Sequence, residues 1–187
     1  MTPWTEKPAG GADLVANIAA TVPVIETERL VLRLPRISDW AVLEPIFTSD
    51  RAIHIGGPMS AEDAWLDFNQ LVAGWILRGH GALTICDTDG TVLGLVLLGH
   101  EYGDPQPELG WLLTAEAEGR GIATEAARAL LPFCHRIYGP DFVSYIADGN
   151  AASVRVAEKL GGTPIGTHPM GAHVAVYAYQ EKEACHD

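Results

Sequence analysis

The chain has 187 residues, of which 48% are hydrophobic and 19% charged, a composition typical of a folded globular protein with one domain. Its 12 Lys and Arg residues stand against 24 Asp and Glu residues, so the formal net charge is -12. Such a surface repels phosphate backbones, which argues against a nucleic-acid-binding protein. Any anion that binds must be held locally, by backbone amides or by one or two cationic side chains.

The cysteines are widely spaced and form no Cys-x-x-Cys pair, which predicts reduced thiols and neither a disulfide framework nor a zinc site. They are Cys86, Cys134 and Cys185. His168 and His173 flank a proline-containing turn, which is weak support for metal binding, so we expect no metal. No apolar run has the character of a signal peptide or the length of a membrane span. We therefore expect a soluble cytoplasmic protein that contacts neither nucleic acid nor membrane.

The N-terminal part of the chain predicts an arm, a strand and a short helix. Residues 1–23 contain three prolines and two glycines and predict a flexible arm. Leucines alternate with other residues in 28–35, which predicts a strand. The stretch "SDWAVLEPIF" predicts a short helix that is capped by Ser38 or Asp39 and disturbed at Pro45.

A longer helix is predicted over residues 60–79. Ser60 and Asp63 form a capping box at its start, and Gly79 or Gly81 would end it. Its apolar face consists of Trp65, Phe68, Val72, Trp75 and Ile76. Aromatic residues at helical spacing indicate core packing.

The hydrophobic period then changes to that of strands. "ALTIC" and "TVLGLVLLGH" flank the hairpin signal "DTDG", and "PELGWLL" (107–113) adds a third strand to an antiparallel meander. The next helix contains Pro132 and should be kinked there. After it come the strand "FVSYIA", a helix over 150–162 and two strands around Pro169–Gly171. This order predicts an α+β domain with a mostly antiparallel, twisted sheet of about six to seven strands and about four helices.

The stretch "EGRGIATEAARAL" (118–130) places Gly119 and Gly121 around Arg120 where a helix begins. The first N–H groups of a helix lack internal partners and favour an anion, and glycine leaves room for its approach. Arg120 adds a cation and Thr124 a hydroxyl. No Walker motif is present, and a dinucleotide fingerprint would need Gly or Ala where Thr124 stands. From these residues alone, a phosphate cradle and a simple hinge into a helix are both open.

Matching segments from Thr27 to Gly161 resemble the GCN5-related N-acetyltransferase (GNAT) family, in particular its branch similar to the ribosomal-protein N-terminal acetyltransferases. They are "TERLVLR", "E-x-G-W" at 108–111, "GRGIATEA" at 119–126 and "N-x-x-S-x-x-x-x-x-K-L-G" at 150–161. The family's acetyl-CoA motif, [Q/R]-x-x-G-x-[G/A], is matched at Gly121 and Ala123, but Glu118 departs from its first position. We expect Glu118 to face water, because an inward carboxylate would oppose phosphate.

The resemblance implies a single acetyltransferase domain over 24–181, followed by a tail at 182–187. Its implied activity is direct transfer of acetyl from acetyl-CoA to a primary amine, of a protein N-terminus or a small molecule, with no covalent enzyme intermediate. The pantetheine arm is expected to pair with the end of the fourth predicted strand. The residues so assigned to acetyl-CoA are Leu112, Leu113, Thr114, Gly119, Arg120, Gly121, Ile122, Ala123, Thr124, Asn150 and Ser153.

The resemblance also suggests two catalytic residues. Glu108 is the leading candidate for the base that deprotonates the amine, with His100 and Glu101 as alternatives, although an outward-facing strand residue is an equal reading. Ser153 would protonate the departing thiolate, where many relatives have a tyrosine, or is only a hydroxyl at a helix start. By the same analogy His54 borders the acceptor site. The missing tyrosine and Glu118 leave open a non-catalytic acyl-CoA sensor on the same fold, and a homodimer is also open.

Overall fold

The computed structural model describes residues 3–5, 9–169 and 171–180. In this part of the chain eight strands form one sheet. The strands are β1 (Ile25–Glu26), β2 (Leu30–Arg33), β3 (Ala82–Asp87), β4 (Val92–Gly99), β5 (Glu108–Leu113), β6 (Val143–Ala147), β7 (Thr163–His168) and β8 (Gly171–Ala178). Their order is β1-β2-β3-β4-β5-β6-β8-β7, and only β5 and β6 pair in parallel. The predicted α+β fold is confirmed, with one strand more than expected because the short β1 pairs with β2.

Five α-helices accompany the sheet in the described ranges. They are α1 (Ala12–Ala19), α2 (Trp40–Thr48), α3 (Ala61–Leu77), α4 (Ile122–Tyr138) and α5 (Ala151–Lys159). Helix α1 lies in the segment predicted as a flexible arm, and its proline and glycine content did not predict this helix. No residue of α1 is buried. The predicted tail, 182–187, lies outside the described residues.

The core is divided between the two faces of the sheet, as the alternation along β4 shows. Val96 and Leu98 pack with α4 in the larger cluster, whereas Leu95 and Leu97 pack with α2 and α3 in the second. Successive side chains of a strand point to opposite faces, so β4 is covered on both sides. The uninterrupted apolar run "VLGLVLL" is the sequence pattern of such a strand.

The helix starts partly follow the predictions. Ser60 caps α3, since its hydroxyl accepts the N–H of Asp63 at 3.1 Å. Asp39, one of the two predicted candidates, is the N-cap residue of α2, but its side chain makes no capping bond to that helix. The buried Asp39 carboxylate instead accepts two bonds from the Arg33 guanidinium, at 2.7 and 2.9 Å, and ties β2 to the start of α2. Ile76 was also misplaced, since it is 70% exposed and lies outside the apolar face of α3.

The sheet opens between its two parallel strands. β5 and β6 pair only at Glu108 and Val143, and the Val143 N–H donates to the carbonyl of Pro107 at 2.9 Å. Beyond this point β5 stays bonded to β4 along its whole length, while β6 stays bonded to β8. The two strands therefore diverge, and a wedge opens in the middle of the sheet.

Candidate active site

Two cavities meet in the wedge between β5 and β6. One, of about 510 Å³, reaches the N-termini of α4 and α5, and the other, of about 420 Å³, reaches α3 and the loop after β4. Both are lined by His54, Ile55, Trp111, Leu112, Asn150 and Ser153. Because they share this wall, molecules bound in the two cavities would touch each other there.

The larger space, which we call the basic cavity, contains Arg51, Arg155 and Lys159 together with the start of α4. Gly121 is the N-cap of this 17-residue helix and has a φ of 79°. Gly119, two residues earlier, has a φ of 71°, and nothing lies within 4 Å of where its Cβ would be. Left-handed backbone of this kind favours glycine and leaves the first amides of the helix accessible from the cavity. The helix end and the cations together form a cradle for an anion.

Glu118, the departure from the family motif, is balanced by Arg51. Its side chain is 59% exposed, as expected, but Glu118 also lines the basic cavity, where it accepts a hydrogen bond from the Arg51 guanidinium. Arg51 lies on the 3₁₀ turn Asp50–His54 and also donates to the Leu113 carbonyl at 3.4 Å. The sequence reading missed Arg51, because no motif connects it with a residue 67 positions later. Arg155 and Lys159 were also missed, although they stand within the matched "N-x-x-S" segment.

Most of the residues predicted for acetyl-CoA line the basic cavity. They are Leu112, Leu113, Gly119, Gly121, Ile122, Ala123, Thr124, Asn150 and Ser153. Two do not. The Arg120 guanidinium donates to the Glu116 carbonyl at 3.3 Å, so this side chain is held on the outer side of the loop. Thr114 is buried, and its N–H donates to the Leu93 carbonyl at 2.9 Å, toward β4 and away from the wedge.

The direction of the Thr114 bond fixes which backbone groups of β5 face the wedge. N–H groups point to alternate sides along a strand. Since the Thr114 N–H points to β4, that of Leu112 does too, and those of Trp111 and Leu113 point into the wedge. The donation from Arg51 to the Leu113 carbonyl agrees with this. The expectation that all of Leu112, Leu113 and Thr114 offer backbone groups is therefore too broad.

The smaller space, which we call the acidic cavity, is lined by Asp67, Glu101, Asp104 and Glu108. Glu108 stands where β5 and β6 still pair and keeps part of its surface open to the cavity, but its carboxyl is surrounded by protein. This burial raises the pKa of Glu108 to about 8, the charge of Glu101 adds to the rise, and a backbone hydrogen bond from Tyr145 opposes it. Burial also raises the pKa of Asp67 and, with help from neighbouring carboxylates, that of Glu101.

One wall of the acidic cavity is a braced loop, 100–107. The Tyr145 hydroxyl donates to the Gln106 carbonyl and accepts from the Gln106 N–H, both at 3.2 Å. His168 packs edge-on against Tyr145, with ring centroids 4.7 Å apart, and its Nε2 lies 3.6 Å from Asp104 Oδ1. His100, an alternative base, bonds through Nε2 to the Asp104 carbonyl at 3.0 Å and lines neither cavity. The loop therefore holds Glu101 and Asp104 in place, and His100 belongs to its bracing.

Ser153 and Trp111 stand where the two cavities join. The Ser153 N–H donates to Asn150 Oδ1 at 3.1 Å, so Asn150 caps α5 as predicted. The Ser153 hydroxyl accepts from the Trp111 indole N–H at 3.3 Å. Ser153 is thus both part of a helix start and a hydroxyl presented to the junction, and the two readings of the sequence are compatible.

Residues 29–163 match the acetyltransferase (GNAT) domain family. The chain therefore belongs to the GNAT acetyltransferase family, which makes it an N-acetyltransferase with these two cavities as its candidate active site. A curated relative, the uncharacterized N-acetyltransferase YnaD of Bacillus subtilis strain 168, is 29% identical in an alignment of 150 residues that covers 73% of this chain and 81% of the relative.

Solved structures show the same fold. An acetyltransferase from Agrobacterium tumefaciens C58 has 36% identity and a TM-score of 0.81, covering 86% of this chain and 95% of its own. The ribosomal L7/L12 N-acetyltransferase RimL, solved in complex with coenzyme A, has 20% identity and a TM-score of 0.67, covering 84% of this chain and 98% of its own. The latter belongs to the branch that the sequence resembles.

In the described part of the chain, no group of His, Cys, Asp and Glu side chains is arranged to hold a metal ion. Within the same residues, none of the helices combines the length and the apolarity that crossing a membrane requires. Cys86 and Cys134 are buried free thiols, and Cys185 lies outside the described residues.

Proposed function

We propose that the protein binds acetyl-CoA in the basic cavity and a primary amine in the acidic cavity, and transfers the acetyl group directly between them. The observation that carries this proposal is that two cavities of opposite charge share one wall, at Trp111 and Ser153. Direct transfer requires both molecules to be held in contact at once, which such a junction provides.

The residues of the basic cavity fit coenzyme A. The amides at the start of α4 and the side chains of Arg51, Arg155 and Lys159 offer donors for its phosphates, as helix N-termini and basic side chains commonly do. The inward-facing backbone groups of Trp111 and Leu113 offer the pairing that an extended amide-bearing arm needs. RimL, a structure of the same fold, is a coenzyme A complex.

When bound, acetyl-CoA supplies an acetyl group activated as a thioester. The backbone N–H groups of Trp111 and Leu113 are the donors that would stabilise negative charge developing on the acetyl oxygen. Glu108 would take the proton of the amine through water, since its pKa of about 8 lies close to neutral pH. The Ser153 hydroxyl accepts its hydrogen bond from Trp111, which leaves its own proton available to the departing thiolate. This placement of Ser153 favours catalysis over a non-catalytic sensor.

The proposal predicts release of free thiol from acetyl-CoA that depends on an added amine. The measurement is thiol release over a panel of primary amines, with calorimetry of coenzyme A binding alongside. Glu108→Gln should keep coenzyme A affinity and lower kcat/KM by about a hundredfold, the usual size of a general-base contribution. Binding of coenzyme A without turnover of any amine would contradict the proposal.

A further inference from the structure

The acidic cavity has more carboxyl groups than a single amine requires. Four carboxylates line it, and its described lining contains no Lys and no Arg. The basic side chains in this lining are the imidazoles of His54 and His168, and His168 already lies beside Asp104. Like charges in a partly buried space repel one another, and an acceptor with one ammonium group would neutralise only one of them.

The carboxylates are spread along the cavity away from the junction. Glu108 stands three residues before Trp111 on β5, about 10 Å along the strand at the usual rise per residue. Glu101 and Asp104 lie farther on, in the loop between β4 and β5, and Asp67 faces them from α3. A nitrogen that reacts at Trp111 and Ser153 therefore leaves three carboxylates at the other end of the cavity. A diamine with an extended chain of about eight carbons spans the distance between the two ends, at roughly 1.3 Å per bond.

Apolar side chains also line the acidic cavity. They include Phe47, Ile55, Met59, Leu71 and Leu97. Methylene groups would bury their surface there favourably, whereas the hydroxyl groups of an amino sugar would lose water without gaining partners. The lining therefore suits an unbranched hydrocarbon chain with charged ends.

We infer that the acceptor is an alkyl diamine or polyamine, whose reacting nitrogen lies at Trp111 and Ser153 and whose distal ammonium is held by Asp67, Glu101 and Asp104. This inference rests on the proposed function and names its substrate class. The raised pKa values of Asp67 and Glu101 agree with it, because a bound dication would restore the charged form of these carboxylates.

The first test compares acceptors of matched length. Thiol release is measured with 1,8-diaminooctane, with n-octylamine, which lacks the second nitrogen, and with 8-amino-1-octanol, which has a neutral polar end. We expect kcat/KM for the diamine to exceed that for either control by at least about a hundredfold, since several charge-assisted hydrogen bonds are at stake. Equal values for the diamine and n-octylamine would overturn the inference, as would a higher kcat/KM for a tripeptide with a free N-terminus.

The second test removes the distal charges singly, as Asp67→Asn, Glu101→Gln and Asp104→Asn. Each should lower kcat/KM for the diamine about tenfold more than for n-octylamine, because only the diamine has a distal ammonium to lose. Asp89→Asn, which removes one carboxylate from the exposed turn between β3 and β4, is the matched control and should change neither value. Thermal unfolding of each variant identifies those that fail to fold. If the folded variants lower kcat/KM equally for both acceptors, the distal ammonium is not held by these carboxylates.

The failure of this inference is distinguishable from failure of the proposed function. Turnover of amines without preference for the diamine overturns the substrate class and leaves acetyl transfer standing. If no amine is acetylated, calorimetry with 1,8-diaminooctane in the presence of coenzyme A still reports on the acidic cavity. Binding that Asp104→Asn weakens about tenfold would support the distal ammonium site, and absence of binding would overturn it.

Discussion

Glu118 shows how one unusual residue is accommodated at the site. A carboxylate at the first position of the family's acetyl-CoA motif would repel phosphate, but here the Arg51 guanidinium bonds to it. The pair is exposed enough to contribute little to stability. Its consequence is for binding, since the net charge at this point of the basic cavity is close to zero instead of negative, and Arg51 can exchange Glu118 for a phosphate.

The Arg51–Glu118 pair gives a prediction for acetyl-CoA affinity. Arg51→Ala should weaken coenzyme A binding about tenfold, because it removes a cation and leaves Glu118 unneutralised. Glu118→Gln should strengthen binding, because it frees Arg51 and removes the opposing charge. Calorimetric titration with coenzyme A measures both. Weaker binding by Glu118→Gln would show that the pair positions Arg51 and does not compete with the phosphates.

Glu108 gives a prediction for pH dependence. Burial raises its pKa to about 8, so the carboxyl is neutral below that pH and becomes a base as the pH rises through it. We expect kcat/KM to rise about tenfold per pH unit and to level off above a pH of about 8. An alkylamine acceptor alone would give its own rise with a pKa of roughly 10, as for lysine. In the pH profile of kcat/KM, Glu108→Gln should therefore lose the step at a pH of about 8. If that step persists in the variant, another group is the base.

At the scale of elements, the start of α4 combines two requirements that glycine meets. Gly121 adopts a left-handed backbone as N-cap, and it borders the basic cavity. A branched side chain there would be strained and would also fill the space in front of the helix amides. The first effect concerns stability, and the second concerns the ligand.

A matched pair of variants separates these two effects. Gly121→Val should abolish measurable coenzyme A binding and cost about 1–3 kcal/mol of stability. Gly90 lies in the hairpin turn, far from the cavities along β3 and β4. It has a similar φ of 86°, and nothing lies within 4 Å of where its Cβ would be. The variant Gly90→Val should carry a comparable loss of stability and leave coenzyme A affinity unchanged. Calorimetry and thermal unfolding of both variants make the comparison. Equal affinity in the two variants would mean that the cradle lies elsewhere.

The elements also show which parts of the fold local sequence encodes. "DTDG" between apolar runs specifies the β3–β4 hairpin, and Ser60 with Asp63 specifies the start of α3, because both act within a few residues. The position of Asp39 as N-cap of α2 was predicted, but the partners of its carboxylate were not. The carboxylate accepts from Arg33 of β2 and, at 3.0 Å, from Thr84 of β3, besides the local N–H of Arg36. No local pattern reports the bonds to the two strands.

At the scale of the whole molecule, the same distinction separates what was predicted of the site from what was not. The glycines before α4 and the "N-x-x-S" segment carry their roles in consecutive residues, and both were found at the basic cavity. Arg51, Asp67 and Asp104 come to the cavities from a turn, a helix and a loop that only the folded sheet brings together. The sequence could give the net charge of the protein but not the separation of that charge into one basic and one acidic cavity.

The divergence of β5 and β6 has a consequence for the protein's behaviour in the absence of ligand. A strand edge with unpaired N–H and C=O groups is a template for association with other chains when it lies at the border of a sheet. Here two such edges lie in the middle of the sheet, flanked by strands on both sides. An extended small molecule can enter between them, and the pairing of Glu108 with Val143 closes the gap at one end. The protein thereby keeps an open edge for recognition without the risk of aggregation that an outer edge brings.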